Sequence, residues 1–295
     1  MRLNLMVVVI LSIFSMESFP QVINPPELVR EFKEKGYIVK ELYYPFSPDC
    51  DEYGHQFEIS LNGEILSKSR IWPFIDMWDF CYSSRRESPE CYFRDITGDS
   101  INEVVFNYGS GGNNGCEDLQ IYSIDSTASE IAFFNGLEKG CGLYWLADLD
   151  NDAISEICTY SRHYECWKAG CAGSRAPLLV WKWDGERYRM ANKKLSGRIL
   201  RTINKVDPDS VVRQFRNTGD KIRKGEYDPE DWDKYPLWLL GIMLDLIYVG
   251  EDARADSVFE ICWPDSIPYK SEFYIEATDR VNTDPFWPEI EESAW

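Results

Sequence analysis

The sequence predicts a mostly β fold, built of repeated units like propeller blades, followed by an α-helical C-terminal region. A nine-residue acidic phrase occurs twice, beginning at residues 95 and 148, and each copy stands between strand-like segments. Strand-like alternation then gives way to helix spacing. We therefore divide the chain into a signal peptide (1–20), a mostly β region (21–200) with repeats at about 91–143 and 144–195, and a helical region (206–295).

The N-terminus predicts export. An apolar run from Leu3 to Phe14 follows one basic residue, and its length suits a signal peptide better than a membrane span. We expect cleavage within residues 15–21 and a secreted or periplasmic mature chain with no membrane span. An uncleaved N-terminal anchor is the alternative.

The nine cysteines predict disulfides in an oxidising compartment. Because nine is odd, at least one cysteine stays free or pairs between chains. Cys81–Cys91 and Cys166–Cys171 would close the shortest loops, but the connectivity does not follow from spacing. Zinc is the alternative for the segment that holds Cys158, His163, Cys166 and Cys171, although their spacing matches no standard zinc pattern.

The charge balance excludes some partners. Fifty acidic residues against 31 basic ones give a net charge of −19, which repels nucleic acids and anionic membranes. The same surplus favours cation binding, although most of these acids would simply be solvated. A protein or a carbohydrate remains an open possibility for the partner.

Turn and cap residues predict the first elements. The segment "PPELVREFKEKGY", with prolines at its start and Gly36 at its end, predicts a short helix. Asn62-Gly63 between alternating apolar residues predicts a hairpin with a type I′ turn. Asp184-Gly185 predicts another hairpin. Each acidic phrase lies between two strands, and two further strands follow it, so each repeat predicts a four-stranded unit.

The C-terminal part predicts helices. A segment that begins at Asp207-Pro208 has the apolar spacing of a helix. The stretch from Pro236 to Gly250 is nearly all apolar, with a proline typical of helix starts and a glycine typical of helix ends. The latter is too short for a bilayer and predicts a buried core helix. Two amphipathic helices follow. Their apolar faces are Val258, Phe259 and Cys262 in one and Phe273, Ala277 and Val281 in the other.

The repeated phrase predicts a calcium site in each copy. Calcium takes six to eight oxygen ligands, and a tight loop offers them at alternate positions. Gly98 and Asn151, at the fourth position, both tolerate the left-handed backbone of a tight turn. The apolar residue at position seven can enter the core while its carbonyl faces the ion. The predicted ligands are Asp95, Thr97, Asp99, the Ile101 carbonyl and Glu103 in the first loop, and Asp148, Asp150, Asp152, the Ile154 carbonyl and Glu156 in the second.

Other interpretations of the phrase fit less well or stay open. An EF-hand needs a glycine at position six and flanking helices, whereas these loops have Ser100 and Ala153 there, between strands. An Asx-rich turn without an ion remains the simpler alternative. Without a cation, three or four close carboxylates would repel one another and raise at least one pKa. We expect the second loop, with three aspartates, to bind calcium more tightly than the first.

"DITGDSINEVVF" and "DLDNDAISEICTY" resemble the calcium loops of FG-GAP/VCBS-type repeats, known from integrin-like β-propellers and exported bacterial proteins. Both copies match the acidic pattern of that family at positions one, three, five and nine, and both lack the glycine that follows the third acid. The resemblance covers about residues 90–190 and implies two calcium ions on the ligands named above. It implies little about biology, because such repeats serve adhesion, carbohydrate binding and scaffolding alike.

The sequence therefore predicts an exported calcium-binding scaffold or binding module rather than an enzyme. A secreted carbohydrate-active hydrolase that uses paired carboxylates is the alternative. Nucleophile, phosphate-loop and dinucleotide motifs are absent from the sequence. Aromatic residues such as Trp167, Trp181 and Trp183 could form a sugar-binding platform, but large aromatics more often fill cores.

Overall fold

A computed structural model describes residues 25–45, 54–69, 93–109, 117–135, 144–168, 174–203, 237–263 and 269–293. The predicted signal peptide, the cysteine pairs Cys81–Cys91 and Cys166–Cys171, and the helix after Asp207 involve residues outside these ranges. The described elements are β1 Glu27–Glu34, β2 Tyr37–Tyr44, β3 Gly54–Leu61, β4 Glu64–Lys68, β5 Asn102–Gly109, β6 Glu117–Ile124, β7 Ala128–Phe134, β8 Trp145–Ala147, β9 Glu156–Tyr160, β10 Leu178–Trp183, β11 Tyr188–Met190, α1 Ser196–Ile203, α2 Leu237–Tyr248, α3 Asp252–Cys262, α4 Lys270–Asn282 and α5 Trp287–Glu291.

The first sheet has the order β1-β2-β3-β4, and all of its neighbouring strands are antiparallel. The helix predicted over "PPELVREFKEKGY" is wrong, because this segment is β1 and its turn into β2. Lys35 and Gly36 both have positive φ, 49° and 87°, which is the backbone of a two-residue type I′ hairpin turn. The glycine interpreted as a helix end is therefore a turn residue. Asn62 and Gly63, at 49° and 89°, form the predicted type I′ turn.

The two repeats have the same strand order. In the second repeat, β8-β9-β10-β11 is an antiparallel four-stranded sheet in chain order. In the first repeat, β5-β6-β7 form three strands, and Arg94 adds a bridge to Glu103 at the position of the fourth. The predicted four-stranded unit is thus complete in the second repeat, and the first repeat has three strands and a single bridge. The described strands form three open antiparallel sheets, followed by C-terminal helices, which confirms the mostly β fold with a helical C-terminus.

The three sheets pack in sequence. Phe57 of the first sheet stacks on Phe106 of the second, with ring centroids 4.2 Å apart, in a cluster that joins these sheets. The opposite face of the second sheet contributes Val105 and Ile121 to a large cluster that also contains Ile157 and Trp181 of the third sheet. Alternate residues of a strand face opposite sides, so each middle strand can serve two cores.

The helices complete the core around the third sheet. α2 contributes Leu240 and Leu244 to the cluster that holds Trp181. The other face of the third sheet, with Cys158 and Val180, packs against Ile199 of α1 and residues of α2. The predicted buried helix is therefore confirmed, and Gly250 follows it at a φ of 79°. Both amphipathic helices, α3 and α4, are present, and their predicted apolar faces are buried or half-buried. The sequence analysis did not predict α1.

Within the described ranges, every helix is too short or too polar to cross a membrane.

A candidate cation site at two acidic loops

The two acidic loops, residues 95–103 (loop 1) and 148–156 (loop 2), are closed in the same way. Each loop leaves a strand residue and returns to pair with it. Arg94 bridges Glu103 in loop 1, and Ala147 pairs with Glu156 in loop 2. The two loops therefore have equal length between equivalent partners, as their sequence register predicts.

The first aspartate of each loop organises the turn. In loop 1, the amides of Gly98 and Ser100 donate to the Asp95 carboxylate at 2.6 and 2.9 Å. In loop 2, the amides of Asp152 and Ala153 donate to Asp148 at 3.1 Å each. Such hydrogen bonds bend the backbone around the aspartate side chain. They provide the frame of both loops.

The aspartate at position five makes the same contact in both loops. The Ile101 amide donates to Asp99 Oδ1 at 2.8 Å, and the Ile154 amide donates to Asp152 Oδ1 at 2.9 Å. In each aspartate Oδ1 accepts this turn hydrogen bond. The second oxygen of Asp152, Oδ2, also accepts from Lys182 Nζ of β10 at 2.7 Å. The equivalent contacts show that the repeat extends to the hydrogen bonds of the loop.

Two positions of each loop adopt the left-handed backbone. Gly98 and Asn151 have φ values of 79° and 63°, as predicted for position four. Position six is also left-handed, with a φ of 70° for both Ser100 and Ala153. The FG-GAP/VCBS-type pattern has a glycine at position six, and both loops lack it. Glycine suits this position because it adopts the left-handed backbone without steric cost. A side chain at this φ strains the loop by about 1 kcal/mol.

The closing glutamates are buried. Glu103 is 1% exposed and Glu156 is fully buried, although both carry charge-bearing carboxyl groups. One oxygen of each accepts a backbone amide from the second loop position, Ile96 at 2.8 Å and Leu149 at 2.6 Å. The other oxygen accepts from Thr97 Oγ1 in loop 1 and from Lys182 Nζ in loop 2. A buried carboxylate requires such partners because its loss of water is otherwise unfavourable.

The two loops contact each other. The Ser155 amide of loop 2 donates to the Ile96 carbonyl of loop 1 at 2.9 Å. Ile154 packs on Gly98 so closely that a Cβ atom at Gly98 would lie 2.9 Å from Ile154 Cγ1. The prediction that Ile101 and Ile154 enter the core is only partly right, because both are half-buried. Ile96, at position two, is the fully buried apolar residue of loop 1.

Loop 2 brings its acids together around a lysine. Lys182 of β10 places Nζ 2.7 Å from Asp152 Oδ2, 2.8 Å from Glu156 Oε1 and 3.1 Å from both oxygens of Asp150. Lys182 was not among the site residues predicted from the sequence. The only available signal was its strand position, since Trp181 pairs with Ile157 and the next residue therefore lies beside Glu156.

The predicted ligands converge more closely in loop 2 than in loop 1. One carboxylate oxygen each from Asp148, Asp150 and Glu156 lies within 4.8 Å of the others. Among the described residues, this is the one group of three or more acids, cysteines or histidines with that spacing. In loop 1, Thr97 Oγ1 instead donates to Glu103 at 3.4 Å. The ligand role of the Ile101 and Ile154 carbonyls stays a prediction.

The titration of the two loops reflects this difference. Burial, together with the charges of Asp99 and Asp95, raises the pKa of Glu103 to about 7, against the opposing amide of Ile96. In loop 2, burial acts to lower the pKa of the Lys182 ammonium, but hydrogen bonds to Asp152, Glu156 and Asp150 outweigh it and the pKa lies above its usual value. Lys182 therefore stays charged.

The alternative zinc ligands are not grouped within the described residues. Cys158 is a free, fully buried thiol in an apolar cluster, and burial raises its pKa. His163 Nε2 contacts Thr283 Oγ1 at 3.2 Å. The ligand atoms of Cys158, His163 and Cys166 do not all lie within 4.8 Å of one another. Trp181, which the sequence left open as a platform residue, is 2% exposed and fills the core.

Comparison with known protein families, with curated proteins and with solved structures finds no match to this chain. The resemblance to FG-GAP/VCBS-type repeats therefore stays a prediction that rests on the residues of the two loops.

Proposed function

We propose that this chain is an exported calcium-binding scaffold or binding module, in which calcium stabilises the acidic loops at the ends of neighbouring β units. The observation that carries the proposal is the acidic frame that both loops share: two backbone amides donate to the first aspartate of each loop, and in loop 2 this frame gathers oxygens of Asp148, Asp150 and Glu156. All predicted side-chain ligands of the two loops would bind a cation through oxygen atoms. Such a donor set suits a hard cation, and calcium is the hard cation that flexible acidic loops take most readily.

The architecture supports the same family. β1–β4, the Arg94 bridge with β5–β7, and β8–β11 are three consecutive antiparallel units in chain order. Such units are the blades of propeller folds, and the acidic loops join the first two strands of the second and third units. We propose blade-like units of the FG-GAP/VCBS type on this basis.

A structural role for the cation fits better than a catalytic one. The acidic residues already accept loop amides, and two of them, Glu103 and Glu156, are closed off from solvent. A cation in such a loop lowers the repulsion between carboxylates and thereby stabilises the folded state. We propose that the ligand of the module, a protein or a carbohydrate, is recognised by other surfaces that this cation holds in shape.

Thermal unfolding with calcium, with magnesium and with EGTA tests the proposal. A cation that binds only the folded state stabilises it by about 2.7 kcal/mol at one hundred times its dissociation constant. For a chain of this length we expect a rise of roughly 5–10 °C in the melting temperature with calcium. Magnesium, which demands stricter geometry, should give a smaller rise.

The control is an acid outside the loops. Asp125 lies in the hairpin between β6 and β7, where it accepts the Thr127 amide at 2.7 Å, so it resembles the loop aspartates in exposure and local bonding. Asp125→Asn should keep the full calcium shift, whereas Asp99→Asn should lose a large part of it. Equal melting temperatures of the wild-type chain in calcium and in EGTA would refute the proposed function.

A further inference from the structure

The cation that the structure already contains in loop 2 is the Lys182 ammonium. Its side chain is 7% exposed, and its Nζ contacts the acids at positions three, five and nine of the loop, Asp150, Asp152 and Glu156. These are three of the residues that the sequence assigns to a calcium ion. The Nζ–oxygen distances to Asp152 and Glu156, 2.7 and 2.8 Å, are those of charge-assisted hydrogen bonds, and those to Asp150 are longer, at 3.1 Å.

Loop 1 has no lysine at the equivalent place. Glu103 pairs directly with Ser123 of β6, so the residue opposite the closing glutamate is a half-buried serine. In loop 2 the residue beside Glu156 on the neighbouring strand is Lys182. The two loops share their frame and differ in this one cross-strand partner. The difference matches their acids, which form a close group of three in loop 2 alone among the described residues.

We propose that Lys182 is a tethered cation that holds loop 2 in place of a metal ion, so that the calcium dependence of the module resides in loop 1. The part that concerns loop 1 rests on the proposed function. An ammonium on its own strand loses no translational freedom on binding, and its local concentration far exceeds that of a free ion. Calcium would have to displace it. The three aspartates suggest tighter calcium binding in loop 2, and the lysine reverses that order.

Removing the ammonium while keeping the aliphatic stem tests the role of Lys182. Lys182→Met leaves Asp150, Asp152 and Glu156 without their cation, and a buried charge that loses its partner is strongly destabilising. In EGTA we expect the melting temperature to fall by roughly 5–15 °C. Calcium should then restore most of that loss, and its apparent affinity for this variant should be at least about tenfold tighter than for the wild type.

Lys68→Met is the matched control. Lys68 also stands on a strand and contacts one largely buried glutamate, Glu58, at 3.0 Å, but it belongs to no acidic loop. This variant should show a smaller loss in EGTA and an unchanged calcium shift. If Lys182→Met melts as Lys68→Met does, or if calcium leaves its loss uncorrected while the wild type responds to calcium, the inference fails.

A gain-of-function variant keeps the inference testable if Lys182→Met does not fold in any buffer. Ser123→Lys places an ammonium opposite Glu103, where loop 2 has Lys182. It should raise the melting temperature in EGTA and reduce the calcium shift by about half or more. A calcium shift equal to that of the wild type would overturn the inference. The proposed function fails separately, through the absence of any calcium shift in the wild type.

Discussion

Gly98→Ala should destabilise the contact between the two acidic loops. A Cβ atom at Gly98 would meet Ile154 Cγ1 at 2.9 Å, which is closer than real Cβ contacts allow. Cγ1 belongs to the stem of a β-branched side chain, so it cannot swing away freely. Overpacking of this kind costs about 1–3 kcal/mol, and the left-handed backbone, at a φ of 79°, adds about 1 kcal/mol. The expected loss is therefore about 2–4 kcal/mol.

Gly63→Ala separates the two contributions. Gly63 has a φ of 89°, and a Cβ atom there would meet nothing within 4 Å, so this variant carries the backbone strain alone. Chemical denaturation should give a loss of about 1 kcal/mol for Gly63→Ala. In the background of Ile154→Ala, which removes Cγ1, Gly98→Ala should lose only that same amount. Equal losses for Gly98→Ala and Gly63→Ala in the wild-type background would refute the packing of one loop on the other.

Two further predictions follow from strain and burial. Ala153→Gly relieves the left-handed backbone at a φ of 70° and should stabilise the chain by about 0.5–1 kcal/mol in denaturant titrations. Burial raises the pKa of Asp245 to about 7, against the charge of Arg175. Its neutral form is favoured, so stability falls as pH rises from about 4 to 7. Asp245→Asn should gain up to about 4 kcal/mol at pH 8 and nothing at pH 4, and equal gains at both would contradict this.

Local patterns predict the fold where turn chemistry and periodicity agree. Asn62-Gly63 specifies a hairpin because both residues accept the left-handed backbone that the turn needs. The apolar run before Gly250 specifies a helix because its length and punctuation leave few alternatives. The segment that forms β1 misled us because Gly36 can end a helix or close a turn. The pairing of Phe32 with Val39 on β2 decided the outcome.

The acidic residues within each loop could be predicted from the sequence, but the lysine that reaches loop 2 from a neighbouring strand could not. Spacing alone placed the acids at positions one, five and nine, and it placed the left-handed residue at position four. Lys182 lies 26 residues from Glu156, and its contact depends on the register of β9 against β10. A shift of one residue would turn the lysine to the opposite face of the sheet. No local pattern in the sequence fixes that register.

Loop 2 makes polar contacts with the chain on both of its sides. On one side its Ser155 amide binds the Ile96 carbonyl of loop 1, and Ile96 belongs to the cluster shared by the second and third sheets. On the other side Arg198 of α1 donates to the Asp150 carbonyl at 3.4 Å. Lys182 of β10 binds three acids of the same loop, Asp150, Asp152 and Glu156. On the proposed assignment, a cation bound in loop 1 would stabilise this joint from one side, while one ammonium among the acids of loop 2 holds the other side.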